Sequence, residues 1–337
     1  FDSYAAGSDL IKKWNLASSP WTWGATTGRT GGGGVSCAAG SAVGQLISSF
    51  IFGGVTTGIF HPGFYMKLTA GTPSTSGQVL LNFNDVGTSV EGCGVIRVKA
   101  NGALEFINNG SSLIATGTTN VCDGNWHWYE FRYNPGASTV QTLYIDNNLE
   151  WTVTATPNNT PRGLNNLIFQ QMNNGISILG LDDVIVYDNN SPNPVDANYP
   201  LGSREIITLR PTTDSAVQFT PIGGTGSNAS CVNEVNADGD TSYVQDGTSG
   251  QQDLYNYGSI SLAAVAINGI MLNGYAEDPA AGAFNMEQIC KSGSTQTNGT
   301  SVALPTSYHV LQQQFAVDPN TTSAWTPAGV NAATFGV

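Results

Sequence analysis

The chain has 337 residues, with 11 Lys and Arg against 24 Asp and Glu, a formal charge of −13. So few cations cannot neutralise a run of phosphates, which argues against nucleic-acid binding and against anionic membrane surfaces. No apolar run reaches the ~18 residues of a membrane-spanning helix, so no membrane insertion is expected.

Hydrophobic residues make up 40% of the chain, enough to bury a core, and the length predicts about two domains. Read from the start, residues 8–14 form a short helix candidate. Trp21-Thr22-Trp23 then lies in a Gly/Ser/Thr-rich loop. An exposed indole pair there is a candidate platform for stacking a sugar ring. The Gly31–Gly34 run lacks a following Lys and helix, so it reads as a flexible spacer rather than a phosphate loop.

From there the pattern is β throughout. Short runs rich in β-branched and aromatic residues predict strands at 45–52, 63–69, 78–84, 95–99, 103–107, 126–133, 142–146, 150–154, 166–171 and 183–187. Asn147-Asn148 predicts a two-residue hairpin turn, because Asn tolerates positive φ. Asn108-Asn109-Gly110 and Asn134-Pro135-Gly136 are further turn signals. Along 126–133, His127, Tyr129, Phe131 and Tyr133 alternate with Trp126, Trp128, Glu130 and Arg132. The aromatic set is expected inside and the charged set at least partly wet.

Residues 189–203 are rich in Pro and Asn and predict a linker between a first domain at 1–188 and a second at 204–337. After residue 200 only Arg204, Arg210 and Lys291 are basic, against 11 acidic residues. Strands there are predicted at 205–209, 243–245, 259–272, 283–291, 301–304 and 307–317. A short helix is predicted at 326–334, with Thr326 as N-cap and Pro327 at the first helical position. The fold class expected is all-β: a β-sandwich plus a second, smaller β-rich domain. Cys37, Cys93, Cys122, Cys231 and Cys290 lack metal-ligand spacing and read as packed thiols, although spacing also allows a Cys93–Cys122 bridge.

The order of motifs in the first domain is informative. Asp123-Gly124-Asn125-Trp126-His127 is followed by Leu143-Tyr144-Ile145-Asp146, then by Leu181-Asp182-Asp183-Val184-Ile185-Val186-Tyr187-Asp188. Over about 185 residues this resembles the laminin-G-like, concanavalin-A-like jelly-roll family. The resemblance implies a closing strand beside the N-terminal one. It also implies a candidate calcium site at Asp182 and Asp183, with no other cofactor. Asn233 to Val244, Gln252-Asp253-Leu254-Tyr255 and Phe315 to Thr326 resemble a C-terminal domain of tailed-phage virion proteins. Asp238-Gly239-Asp240 inside that stretch fails as a calcium loop, because the twelfth position is Ser249, and it reads as a turn.

No Glu-x-Asp-x-Glu triplet on one strand, nucleophile elbow or phosphate loop occurs, so no catalytic residue is expected. Together these readings imply a structural component on the exterior of a tailed-phage particle, most simply a tail-associated fibre or adhesin. Its partners would be other virion proteins, further copies of itself and a host surface glycan. The alternatives are a capsid decoration protein and an extracellular lectin-like module.

Overall fold

The structure is a computed structural model describing residues 14–17, 20–40, 44–48, 58–74, 77–85, 93–157, 164–173, 175–188, 199–224, 226–235, 237–261, 266–280 and 284–337. The predicted helix at 8–14 therefore lies outside the described residues, apart from Trp14. The chain divides into two compact units, Phe1–Ile207 and Thr208–Val337.

The first unit is a two-layer sandwich of seven-stranded sheets. One sheet runs in the order β1 (Trp14–Ala17), β4 (Gln45–Ser48), β13 (Leu164–Gln170), β6 (Gln78–Asp85), β7 (Val95–Val98), β8 (Leu104–Ile107), β9 (Leu113–Thr116). The other runs β12 (Asn148–Ala155), β11 (Thr139–Ile145), β10 (Trp126–Arg132), β5 (Phe60–Leu68), β14 (Ile178–Asp188), β3 (Gly34–Cys37), β2 (Trp21–Gly24). The pairings are antiparallel, as in β10 against β5, where Trp126 faces Lys67 and Trp128 faces Tyr65. The closing strand β14 lies between β5 and β3, while β1 belongs to the opposite sheet. The earliest residues, beside which that strand was expected, lie outside the described residues.

Period-two alternation sends one face of each strand into the interior. Phe64 of β5 meets Phe169 of β13 edge-on at 5.0 Å. Tyr133, just beyond β10, stacks on Phe83 of β6 at 4.0 Å. Burial of each such side chain stabilises the fold by about 1.5–3 kcal/mol. The hairpin turn falls one residue earlier than predicted: Asp146 and Asn147 take φ of 51° and 66°.

The outward face of β10 is drier than the sequence suggests. Trp128 and Glu130 are buried. Residues 199–202 run across them: the Leu201 and Gly202 amides donate to Glu130 at 2.6 and 2.9 Å, and the Tyr199 hydroxyl donates to the Glu130 carbonyl at 2.9 Å. The C-terminal end of the predicted linker is thus bonded into the first unit through Tyr199, Leu201 and Gly202. Burial raises the Glu130 carboxyl above the usual range, against the pull of those amides and of the Trp128 indole.

The second unit has a five-stranded sheet, β15 (Pro211–Val217), β18 (Asp253–Tyr257), β25 (Thr334–Gly336), β21 (Ile289–Ser292), β22 (Thr295–Asn298). Three ribbons accompany it: β16 (Thr220–Ile222) with β17 (Tyr243–Gln245), β19 (Ile270–Ala276) with β24 (His309–Phe315), and β20 (Asn285–Met286) with β23 (Val302–Ala303). Residues 205–209, predicted as a strand, are irregular, and the strand begins at Pro211. Helix α1 (Pro327–Ala332) starts as predicted, with the Thr326 hydroxyl accepting from the Gly329 amide at 3.0 Å. The Asp238-Gly239-Asp240 stretch is a turn: Asp238 accepts from the Ser242 amide and hydroxyl, and Asp240 from the Tyr308 hydroxyl. A small core gathers Leu272, Cys290, Phe315, Trp325, Val330 and Phe335.

All five cysteines are buried and none is in a disulfide, so Cys93 and Cys122 are not bridged. Burial pushes the Cys37 and Cys290 thiols up to about 12 and Cys122 up to about 11, which leaves them unreactive in the folded state.

Candidate functional site

Trp21 and Trp23 sit on a strand rather than in a loop. Two residues apart on β2, they turn to the same face, and that face is the inner one. Trp21 is only 6% exposed within the core and Trp23 packs against it. The outward residue between them is Thr22, whose hydroxyl lies 3.2 Å from that of Ser36. Neither indole is therefore displayed as the expected platform, because strand pairing with β3 fixes both toward the interior.

Asp182 and Asp183 come together at a bulge in β14, where Asp183 takes φ of 50°. Both are buried, and their oxygens are already engaged. Asp182 accepts from the Arg29 amide at 2.9 Å and from the Asp183 amide at 2.9 Å. Asp183 accepts from the Arg29 guanidinium at 3.2 and 3.3 Å and from the Ile206 amide at 2.9 Å. A guanidinium thus occupies the place expected for a cation. Among the described residues no group of three or more His, Cys, Asp or Glu is arranged to hold a metal. The pair ties the 25–33 loop and residue 206 onto β14.

Burial raises the Asp183 carboxyl to about 6, with the Ile206 amide and Arg29 opposing and Asp182 adding to it. A raised carboxyl means that the folded state holds its proton more tightly than the unfolded chain. This contribution to stability is complete below pH 3.8 and is lost as pH rises to about 6. The expected result is that the difference in unfolding free energy between wild type and Asp183→Asn changes across this window, with the wild type losing ground as pH rises. Denaturant titrations at several pH values check it, and a pH-independent difference would refute it.

His127 lies between two carboxylates, Asp146 at 2.6 Å and Asp123 at 3.1 Å. Burial alone would lower the imidazole, but the two carboxylates outweigh it and raise it. The cluster pins the hairpin turn of β11 and β12 to the start of β10.

The outward face of the second sheet carries a feature that the sequence reading passed over. On β5, Lys67 is flanked by Trp126 of β10 and Gly180 of β14, and Tyr65 by Trp128 and Asp182. Trp126 reaches across β5 to Gly180, where a Cβ would come within 2.3 Å of the indole ring. Trp128 does the same over Gly63, within 2.6 Å. Each indole thus fits a slot left by a missing side chain. Trp128 is fully buried, whereas Trp126, Lys67 and Tyr65 remain half-buried. Arg29 completes the rim, 4.2 Å above the Tyr65 ring. The result is a shallow aromatic surface with a cation at its centre. The available signal was the alternation of Trp126 with His127, which assigns the indole to the outward face.

No protein-family model and no curated protein matches the sequence. Among solved structures, the carbohydrate-binding module CBM66 from Bacillus subtilis matches 49% of this chain and 94% of its own, at 14% identity and a TM-score of 0.33. An endo-β-1,4-glucuronan lyase from the fungus Trichoderma reesei matches 52% of this chain and 91% of its own, at 12% identity and a TM-score of 0.39. The binding domain of Paraclostridial Mosquitocidal Protein 1 matches 96% of this chain and 92% of its own, at 9% identity and a TM-score of 0.39. Likeness at this level assigns neither a family nor an activity to the chain.

Proposed function

We propose that the first unit is a carbohydrate-binding module and that its ligand stacks on Trp126. The observation that carries this reading is the half-buried indole seated on Gly180 beside Lys67 and Tyr65. An aromatic ring held rigidly in place loses little entropy on binding. Binding rather than catalysis is further supported by the strand glutamates, which are committed to the fold. Glu105 pairs with Lys99 at 3.6 Å, Glu130 accepts from Leu201 and Gly202, and Glu150 holds the 118 and 119 amides at 2.7 and 3.2 Å. Trp126→Ala is expected to weaken binding to the best ligand of a glycan array by about tenfold or more, in line with the loss of a hot-spot aromatic. Calorimetric titration measures this, and unchanged affinity in a folded variant would remove the platform.

The setting proposed is the exterior of a tailed-phage particle, as a fibre or adhesin whose second unit meets other virion proteins or further copies of itself. The support is the motif order of residues 233–326 and the acidic, nearly Lys-free composition of that unit. Net negative charge also limits sticking to packaged DNA. Mass-spectrometric copy counting on purified particles is expected to find a few to a few tens of chains per particle. A count matching the capsid subunits would favour decoration instead. Absence would leave a free lectin-like protein.

A further inference from the structure

Lys67 is an unusual residue to find in a central strand, here near the end of β5. Lysine is depleted in strands, and this chain has only 11 Lys and Arg in all. It stands directly opposite Trp126 on one side and Gly180 on the other, so its stem shares the outward face with the indole.

The neighbouring charges are already matched. Arg29 faces Asp183 at 3.2 Å and Glu205 at 3.8 Å. Asp182 accepts from the Arg29 and Asp183 amides. On β10, Glu130 is taken up by the 201 and 202 amides. Lys67 makes no ion pair among the described residues. Its charge is left for a partner from outside, and it lies beside Trp126, which remains half-buried.

We propose that the ligand of this surface is an acidic glycan, whose sugar ring stacks on Trp126 while its carboxylate or sulfate meets the Lys67 ammonium. This rests on the platform reading given above and adds the ligand class to it. The chain's overall negative charge does not oppose it strongly. Charges beyond about 8 Å are largely screened at physiological salt, whereas a direct ammonium–carboxylate contact is a charge-assisted hydrogen bond.

The test is an array of uronate-, sialate- and sulfate-bearing oligosaccharides, each printed beside its neutral counterpart (methyl ester, desialylated or desulfated form). The best pair is then titrated calorimetrically against wild type, Lys67→Gln and Trp126→Ala. The expected result is binding of the acidic member about tenfold tighter than the neutral one. Lys67→Gln is expected to reduce acidic affinity to the neutral level and leave the neutral member unchanged. Trp126→Ala is expected to weaken both. Equal wild-type affinity for both members, or an unchanged preference in Lys67→Gln, would overturn the acidic assignment while the platform stands. Binding of no glycan, or full binding by Trp126→Ala, would overturn the platform and the acidic assignment with it.

Discussion

Replacing Asp253 with alanine is expected to unfold the sheet of the second unit. Asp253 is 0% exposed. One oxygen accepts from the Gln218 and Phe219 amides at 2.7 and 2.8 Å. The other accepts from the Asn228 side-chain amide at 2.7 Å and the Tyr255 hydroxyl at 2.8 Å. The carboxylate thus joins the turn after β15, the 3-10 turn at Ala229–Cys231 and the strand β18 that carries it. Alanine leaves four donors without an acceptor. The two buried ones, on Asn228 and Tyr255, cost about 1–3 kcal/mol each, a large share of the 5–15 kcal/mol that holds a typical domain folded. Hydrogen exchange is expected to show loss of protection across β15, β18 and β25. Protection equal to wild type would mean that the four donors find other partners.

The second large effect is expected where Trp128 crosses Gly63. Trp128→Ala removes a fully buried indole, at a cost of about 3–5 kcal/mol. It also removes the Nε1 donor to Glu130, 3.2 Å away. Gly63→Val puts a Cβ where the ring already lies, 2.6 and 2.8 Å from two of its atoms. Trp128 is fully buried, which limits its retreat, so overpacking costs about 1–3 kcal/mol. The decisive measurement is the double variant. If the two residues share one space, the valine penalty vanishes in the Trp128→Ala background, and the double variant is no less stable than Trp128→Ala alone. Simple additivity in denaturant titrations would show that the penalty at residue 63 has another source.

The interior strands were legible because their alternation is strong. The ten strands predicted in the first domain all have a counterpart; the end predicted for the first of them, at 49–52, lies outside the described residues, and β14 starts five residues before its predicted start. The elements missed have reasons in composition. β2 and β3 are four residues each and set among glycines, so their local signal reads as loop. β9, Leu113–Thr116, is an edge strand with little buried surface to betray it. The start of β15 is a proline, a residue that argues against a central strand but is tolerated at a strand's first position. For the site, residue type alone misled: Trp21 and Trp23 looked available because their surroundings looked irregular. Trp126 is distinguished by a glycine distant in sequence, Gly180 on β14, which strand pairing brings to the far side of β5 from β10. A pairing of that kind is invisible until the register of three strands is known.

The buried thiols make the molecule its own stopwatch. Cys37, Cys93 and Cys122 lie in the first unit and Cys231 and Cys290 in the second, each no more than 2% exposed. An alkylating reagent reaches these sulfurs only when the surrounding strands part. Peptide-resolved labelling rates at the five positions therefore time the opening of each unit separately in the unmodified chain.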